Sequence, residues 1–254
     1  MSDSNLSSFA ARIMAAERTG EVWHLLLGFM RARGVVRLSV HALDSLWAGG
    51  DTVIRTAGFP EDWVTHYAND SLFDDDPIPA QAAKTTRPFF WGDIKLITNV
   101  TAAEAEYLRE LETAEIGEGL AMQVYGPNLR SAYVGLGFGP VRPDLTEAQI
   151  FELKSAAQIA HLRFCELTEA HAALERDLSP REAEVLRWIA QGKSNGVIAE
   201  IVGLSRHTVD TVVRRIFEKL GVTDRTTAAL RGLGAGLVQL EGGTPPVTQV
   251  RDMP

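Results

Sequence analysis

The stretch from Ser205 to Leu220 combines charged, hydroxyl-bearing and apolar residues at helical spacing. Its apolar residues recur three and four positions apart, which places them on one face of a helix. The polar residues share the opposite face: Arg206, His207, Asp210, Thr211, Arg214 and Arg215. An arginine fork can bind a guanine edge or a phosphate, and a carboxylate can accept from the amino group of cytosine. The pattern therefore predicts a helix that reads DNA, and we expect His207 to take part because it lies on the polar face.

A second group of residues combines aromatic rings with a carboxylate. Trp63 and Tyr67 lie four residues apart, so a helix there places both rings on one side. Asp76 directly precedes Pro77, which suits the first position of a helix. An indole N–H can donate a hydrogen bond, and a carboxylate can accept one. Two roles are open for each: Asp76 binds a ligand or caps the helix, and the rings line a binding site or pack in the core.

Local signals delimit four helices in the last part of the chain. Ser179, Pro180 and Glu182 form a capping box with proline at the first helical position. The capping residues of the following three helices are Ser194, Ser205 and Asp224. The first three helices end at Gly192, Gly203 and Gly221. The turn at Gly203 between two helices is typical of a helix-turn-helix.

Apolar residues at helical spacing define the expected core of these four helices. The first two helices contribute Val185, Leu186, Ile189, Ala190, Val197, Ile198 and Ile201. The third contributes Val209, Val212, Val213, Ile216, Phe217 and Leu220. In the fourth, Ala228, Gly232 and Ala235 or Gly236 form a stripe of small residues. Because small residues let another helix approach closely, we expect this stripe at a dimer interface.

The rest of the chain predicts strands enclosed by helices. Helices are expected over residues 6–18, 20–33, 61–68 and 101–116, from Pro77, and from a capping box at Thr146 to about residue 173. Strands are expected over 36–42, 52–56, 119–125 and 132–138, the first of them half-buried, with Trp91 in a loop or edge strand. This order predicts an α+β protein: an α/β/α sandwich around a largely antiparallel sheet, followed by an all-α four-helix domain.

The formal net charge of −8 is unevenly divided along the chain. Residues 1–177 hold 15 Lys and Arg against 25 Asp and Glu, whereas residues 178–240 hold nine against six. The basic excess thus coincides with the helices that are predicted to bind DNA. Because this excess is modest, we expect binding to depend on well-placed contacts and on dimerisation.

Cysteine and histidine usage limits the remaining chemistry. Cys165 is the single cysteine, which excludes an internal disulfide and indicates a small core or surface thiol. Residues 1–5 lack the features of a signal peptide, and no apolar run approaches the ~18 residues of a membrane span. We therefore expect a cytoplasmic protein with no membrane partner and no metal. The remaining histidines are expected to be surface or structural residues: His24, His41, His66, His161 and His171.

Residues 178–225 resemble the carboxy-terminal domain of the LuxR family of transcriptional regulators. Caps, core and polar surface match in one register: Leu178–Leu186, Gly192–Ser194, Ile198, Ala199, Ser205, Thr208, Val209, Lys219–Val222 and Arg225. The resemblance implies DNA contacts by Lys193, Ser194, Ser205, Arg206, His207, Thr208, Asp210, Thr211, Arg214 and Arg215. Asp210 stands where the family usually has lysine, and Val212 where it often has histidine. Asp210 cannot bind a phosphate, but it could accept from cytosine or hold Arg206 or Arg214 in place.

Six earlier residues stand at the mutual spacings of the autoinducer-binding domain of the same family: Trp63, Tyr67, Asp76, Pro77, Trp91 and Gly119. That resemblance implies a pocket between sheet and helices for a non-covalently bound N-acyl homoserine lactone or related amphiphile, with no cofactor. It implies that Trp63 donates to a lactone carbonyl and that Asp76 accepts the amide N–H through a charge-assisted hydrogen bond. Tyr67 and Trp91 would wall the head group.

Two positions depart from the family's pocket pattern. Phe59 stands where tyrosine is common, four residues before Trp63, and Gly135 stands where serine or threonine is usual. Two hydroxyl groups for the acyl portion of the ligand are therefore expected to be missing. At roughly 0.5 to 1.5 kcal/mol each, their loss could lower affinity on the order of 10-fold to 100-fold. A different acyl portion, or burial of a longer tail at ~0.8 kcal/mol per methylene, would compensate.

The resemblance also implies how the chain is organised and what it meets. We expect a ligand-binding domain over residues 1–167, a linker over 168–177, a DNA-binding domain over 178–240 and a flexible tail over 241–254. A homodimer would bind a double-stranded, roughly palindromic operator, with RNA polymerase as a candidate partner. No catalysis is implied.

Other classes of protein remain as alternatives. A response regulator would begin with alternating strands and helices and an acidic pair, whereas residues 1–60 begin with two helices. An enzyme with Asp76 as general base would need a catalytic partner, and none stands at a meaningful spacing. An antagonist that heterodimerises with a related regulator is favoured by Asp210 alone. A regulator that responds to another small molecule, or to none, also stays open.

Overall fold

The structure, a computed structural model, describes residues 5–42, 53–69, 72–127, 130–175 and 178–238. The chain separates into two compact units, one reaching Ala170 and the other beginning at His171. The predicted tail over residues 241–254 lies outside the described residues. Within the described ranges, no helix is long and apolar enough to cross a membrane.

The first unit alternates helices and strands in the expected order. Its helices are α1 (Leu6–Ala15), α2 (Thr19–Arg31), α3 (Glu61–Asn69), α4 (Leu72–Asp75), α5 (Pro77–Ala82), α6 (Ile94–Ile97), α7 (Ala102–Thr113) and α8 (Glu147–Glu175). Its strands are β1 (Arg37–Ala42), β2 (Val53–Ala57), β3 (Phe89–Phe90), β4 (Glu118–Tyr125) and β5 (Ser131–Gly139). The capping box at Thr146 is confirmed, because its hydroxyl accepts from Gln149 N–H and its N–H donates to the Gln149 side chain.

The five strands form one antiparallel sheet in the order β2-β1-β5-β4-β3. On one face, α1, α2 and α8 bury Ile13, Met30 and Leu153 against the strands. On the other face, α3 and α5–α7 bury Trp63, Ile78 and Tyr107. The predicted α/β/α arrangement is therefore confirmed, and each face of the sheet has a core of its own.

Strand β1 differs from its prediction. The alternating pattern indicated a half-buried strand with Ser39 and His41 on the polar side. Both are in fact buried, at 5% and 9% exposed, while Val36 precedes the strand and is 51% exposed. The reason is that β1 lies inside the sheet, between β2 and β5, with helices on both faces. Alternation alone cannot distinguish polar residues that face solvent from polar residues that face a covered cavity.

The second unit consists of four helices: α9 (Pro180–Ala190), α10 (Asn195–Val202), α11 (Arg206–Leu220) and α12 (Arg225–Gly234). All four predicted caps are present, because each capping side chain accepts from the N–H three residues later: Ser179, Ser194, Ser205 and Asp224. Gly203 and Gly221 end α10 and α11 in the left-handed conformation. This is the predicted helix-turn-helix order.

One prediction about this part of the chain is wrong, and two others gain structural detail. Val197 and Ile201, which were expected in the core, are 41% and 44% exposed, and the buried residues of α10 are Ile198 and Ala199. Within the stripe of small residues, Gly232 packs inside the unit, since a Cβ there would lie 2.8 Å from Leu186 Cδ2, and the dimer interface stays a prediction. Helix α8 runs into the predicted linker and ends at Glu175, close to its predicted end at about residue 173.

Candidate ligand cavity and DNA-facing helix

A cavity of about 140 Å³ lies between the sheet and helices α3, α5 and α7 of the first unit. Five of the predicted ligand-binding residues line it: Phe59, Trp63, Tyr67, Asp76 and Trp91. Trp63 and Tyr67 face it together because they lie one helical turn apart on α3. Trp91 begins a short 3-10 turn directly after the edge strand β3. It therefore lies where the edge strand passes into the loop, the two positions predicted for it.

Three predicted residues shape the cavity without lining it. Pro77 is buried at the first position of α5. Gly119 leaves room for an aromatic ring, because a Cβ there would lie 2.5 Å from the Trp91 ring. A Cβ at Gly135 would lie 2.7 Å from both Ser39 Oγ and the Tyr133 hydroxyl. At Gly119 and Gly135 the missing side chain thus makes space for a neighbour that does line the cavity.

Asp76 caps a helix, as one of the two interpretations predicted, and it also lines the cavity. Its Oδ1 caps α5 by accepting from Ile78 N–H at 2.9 Å. Its Oδ2 accepts from the hydroxyls of Tyr67 and Tyr107, at 3.0 Å each. Burial raises the pKa of Asp76 to about 6, against the lowering effect of these three hydrogen bonds. The carboxylate is therefore mainly ionised at neutral pH and faces the cavity.

The charge balance of the cavity disfavours anionic ligands. His41 also lines it, and burial lowers the pKa of its imidazole to about 4, so the ring is neutral at pH 7. Burial raises the pKa of Tyr67, Tyr107 and Tyr133, so these phenols stay protonated. Among the described lining residues, Asp76 is thus the one charge at neutral pH, and it would repel an anionic ligand.

Sequence reasoning missed five polar residues of the cavity wall: Ser39, His41, Thr56, Tyr107 and Tyr133. Ser39 lies opposite Thr56 on β2, and His41 lies opposite Tyr133 on β5. The alternation of polar residues along β1 was the available signal, although it was read as solvent exposure. Tyr107 occurs within a helix and gave no signal of its own.

The polar face of α11 is arranged as predicted. Its exposed residues are Arg206, His207, Thr208, Asp210, Arg214 and Arg215, while Thr211 is half-buried. Lys193, Ser194 and Ser205 are exposed at the starts of α10 and α11, where they flank this face. Within the described part of the chain, Arg214 has a single loose ion pair, with Glu218 at 3.9 Å. The side chain is therefore available to a base or a phosphate.

Asp210 holds a different partner from those considered on sequence. It accepts from Asn195 Nδ2 at 2.7 Å, and neither Arg206 nor Arg214 is bonded to it among the described residues. Asn195 Oδ1 in turn accepts from Arg225 at 2.8 Å, and Arg225 also donates to the Lys193 carbonyl. This chain of hydrogen bonds links α11 to the starts of α10 and α12. Sequence reasoning did not identify Asn195.

Two protein families match the two units. Residues 18–164 match the family described as autoinducer binding domain, and residues 176–231 match bacterial regulatory proteins of the luxR family. The quorum sensing-dependent transcriptional regulator RpaR of Rhodopseudomonas palustris is 27% identical over 198 residues, which cover 78% of this chain and 80% of RpaR. The regulator VjbR of Brucella abortus, also described as quorum sensing-dependent, is 30% identical over 200 residues, 74% of each chain.

Solved structures agree with these sequence matches at the level of fold. Escherichia coli SdiA has a TM-score of 0.73 with 18% sequence identity, covering 91% of this chain and 97% of SdiA. The relatives that match in sequence are transcriptional regulators rather than enzymes. A cavity domain with the autoinducer-binding match, followed by a helix-turn-helix, leads to one conclusion: this chain belongs to the LuxR family of quorum-sensing transcriptional regulators.

Proposed function

We propose that the first unit binds an N-acyl homoserine lactone or a related neutral amphiphile, and that this ligand controls binding of the second unit to DNA. The observation that carries the proposal is the cavity, in which one carboxylate faces aromatic and apolar side chains. A lactone amide offers the N–H that such a carboxylate accepts, and its acyl chain suits the apolar wall. The ligand is held without covalent bonds, and no cofactor takes part.

Individual roles follow from the positions in the cavity. Asp76 accepts the amide N–H, and this charge-assisted hydrogen bond is the strongest single contact. The Trp63 indole N–H donates to the lactone carbonyl. Tyr67 and Trp91 enclose the head group, while Phe59 contacts it through its ring. Pro77, Gly119 and Gly135 act indirectly, through the residues that they position.

DNA binding is assigned to α11 and its flanks. The proposed contacts to bases and phosphates come from Lys193, Ser194, Ser205, Arg206, His207, Thr208, Thr211, Arg214 and Arg215, with Asp210 acting through Asn195. A homodimer bound to a roughly palindromic operator in the cytoplasm would supply the contacts that one modestly basic unit lacks. RNA polymerase is a partner for a regulator bound beside a promoter. The proposed ligand-binding domain spans residues 1–167 and the proposed DNA-binding domain spans 178–240. The linker between them, 168–177, is helical at its start.

Ligand binding is tested by thermal unfolding of the purified chain against a panel of compounds. The panel contains N-butanoyl, N-hexanoyl, N-octanoyl and N-dodecanoyl homoserine lactones and their keto-substituted counterparts. Octanoyl-rac-glycerol is a second arm because SdiA has been solved with it, and octanoate is the anionic control. The proposal predicts a rise in melting temperature with at least one lactone and none with octanoate. No rise with any lactone would reject the lactone assignment, and a rise with the glycerol ester alone would replace it.

An antagonist that heterodimerises with a related regulator is the second candidate, favoured by the carboxylate of Asp210 on the DNA-facing helix. Selection of binding sites from randomised DNA by the purified homodimer separates the two candidates. Enrichment of a palindromic sequence supports a regulator that binds its own operator. Failure to enrich any sequence, with ligand present, would favour the antagonist.

A further inference from the structure

One hydrogen-bond donor in the cavity, the Trp91 indole N–H, lacks a well-placed acceptor, and the Tyr133 hydroxyl lies beside it. The indole N–H of Trp91 is buried and has no hydrogen-bond partner among the described residues. It lies near enough to the Tyr133 hydroxyl to oppose the rise in the pKa of Tyr133 that burial and the Asp76 charge cause. Both residues line the cavity, at 6% and 5% exposed. Because a buried donor without an acceptor costs free energy, this corner of the cavity suits an oxygen atom from a ligand.

Gly135 determines where the Tyr133 hydroxyl lies. The two residues are two positions apart on β5, so they share the cavity face of the sheet. A Cβ built at Gly135 would lie 2.7 Å from the Tyr133 hydroxyl and 3.2 Å from Tyr133 Cζ. The phenol therefore lies across Gly135, beside the hydroxyl of Ser39 on β1. Any side chain at position 135 would displace the phenol of Tyr133. Glycine at this position therefore leaves the space that the Tyr133 hydroxyl occupies.

Asp76 supplies the opposite polarity in the same cavity. It accepts from Ile78, Tyr67 and Tyr107, and it is the charged acceptor that a ligand N–H would meet. A trans secondary amide carries its N–H and its carbonyl oxygen on opposite edges. A ligand amide whose N–H faces the carboxylate would therefore direct its carbonyl away from Asp76. Donors at a separate point of the wall suit that oxygen.

We infer that Tyr133 donates from its hydroxyl, held over Gly135, to the carbonyl oxygen of a ligand amide whose N–H meets Asp76. The Trp91 indole N–H donates to the same oxygen. This inference rests on the proposed function and narrows its ligand class, because an ester of the same shape offers the carbonyl but no N–H for Asp76. It also explains how the cavity can bind an acyl carbonyl with phenylalanine at position 59 and glycine at position 135.

The test compares Tyr133→Phe with Tyr125→Phe in the whole chain. Tyr125 is a matched control because it is 47% exposed at the end of β4 and does not line the cavity. The ligand is the tightest-binding lactone of the panel, labelled with carbon-13 at the amide carbonyl. Calorimetry is expected to show a loss of affinity of about tenfold for Tyr133→Phe and none for Tyr125→Phe. Infrared difference spectra are expected to show a higher carbonyl stretching frequency in the Tyr133→Phe complex, since a hydrogen bond to the oxygen is lost.

A second variant keeps the test valid if Tyr133→Phe does not fold. Gly135→Ala retains every hydroxyl, but its methyl group would displace that of Tyr133, so it is expected to weaken binding and raise the carbonyl frequency as well. Wild-type affinity and carbonyl frequency in whichever of these variants folds would overturn the inference and leave the proposed function standing. Failure of every lactone to bind the wild-type chain would overturn both. Equal affinity of the wild type for the ester analogue would overturn the preference for amides.

Discussion

At Asp76 a structural role and the proposed binding role place opposite demands on one side chain. The carboxylate caps α5 and orders two tyrosines, yet burial opposes its charge and raises its pKa to about 6. An asparagine could keep the cap through its carbonyl oxygen, and the tyrosine hydroxyls could turn to accept from its amide group. It would not carry the charge. The charged form of Asp76 therefore carries a cost in stability that asparagine would not.

Asp76→Asn is predicted to stabilise the ligand-free protein at neutral pH. The folded-state pKa of Asp76 is raised from 3.8 to about 6, so the folded state holds the proton more tightly than the unfolded state. The stability that protonation provides is present below about pH 4 and is lost as the pH rises through 6. Asparagine does not ionise, so its advantage over aspartate should grow by up to about 3 kcal/mol between pH 4 and pH 7.

Urea unfolding of both proteins at about pH 4 and about pH 7.5 measures this difference. His41 contributes with the opposite sign, because its pKa is lowered to about 4 and its stability is lost as the pH falls from 6.5. That contribution is present in both proteins and cancels in the comparison. Asp74→Asn, at an exposed position in α4, is the control and should show no such growth. An advantage for Asp76→Asn of the same size at both pH values would refute the raised pKa.

At the scale of elements, signals between residues one helical turn apart were sufficient to predict where the helices begin. Caps such as Ser179 and Ser205 were predictable because the donor and acceptor lie three residues apart. Burial depends on which neighbours cover an element, and no short pattern contains that information. Val197 has the apolar type of a core residue but faces outward, whereas Ser39 has the polar type of a surface residue but lines a covered cavity. Ser39 on β1 and Tyr133 on β5 lie on neighbouring strands although they are almost 100 residues apart in the sequence.

The packing of α12 against α9 leads to a prediction about Gly232. A Cβ there would lie 2.8 Å from Leu186 Cδ2 and 3.3 Å from Val238 Cγ2, and Leu186 is fully buried. Gly232→Ala should therefore destabilise the second unit by about 1 to 3 kcal/mol through overpacking. Gly196→Ala is the matched control, because its Cβ would meet only Ser194 Oγ at 3.9 Å, and helix propensity should raise stability by up to about 1 kcal/mol. Denaturant unfolding that shows the same sign for both variants would contradict this packing.

The exposed face of α11 leads to a prediction about Arg214. Arg214→Ala should leave folding unchanged and weaken operator binding by about 1 to 3 kcal/mol if the guanidinium contacts guanine. A phosphate contact would instead weaken binding to all sequences alike and reduce the salt dependence by about one charge. Arg187→Ala, an exposed position on α9, is the control in the same gel-shift titration. Unchanged affinity of Arg214→Ala at moderate salt would show that this arginine does not contact DNA.

At the scale of the whole molecule, the proposed ligand can act only through the free energy that it adds to one folded state. A ligand at 100 times its Kd stabilises the state that binds it by about 2.7 kcal/mol. That amount is sufficient to change operator affinity by more than tenfold if only the ligand-bound state is competent. The cavity around Asp76 and the exposed polar face of α11 must therefore respond to the same binding event. The result can be tighter or weaker DNA binding.

The most direct test measures operator affinity of the 254-residue chain with and without its tightest-binding lactone, for the wild type and for Asp76→Asn. The operator is first selected from randomised DNA. We predict that the lactone changes the operator Kd of the wild type at least about tenfold and leaves that of Asp76→Asn unchanged. A lactone that binds the wild type but leaves its operator affinity the same would contradict the coupling of cavity and DNA-binding helix.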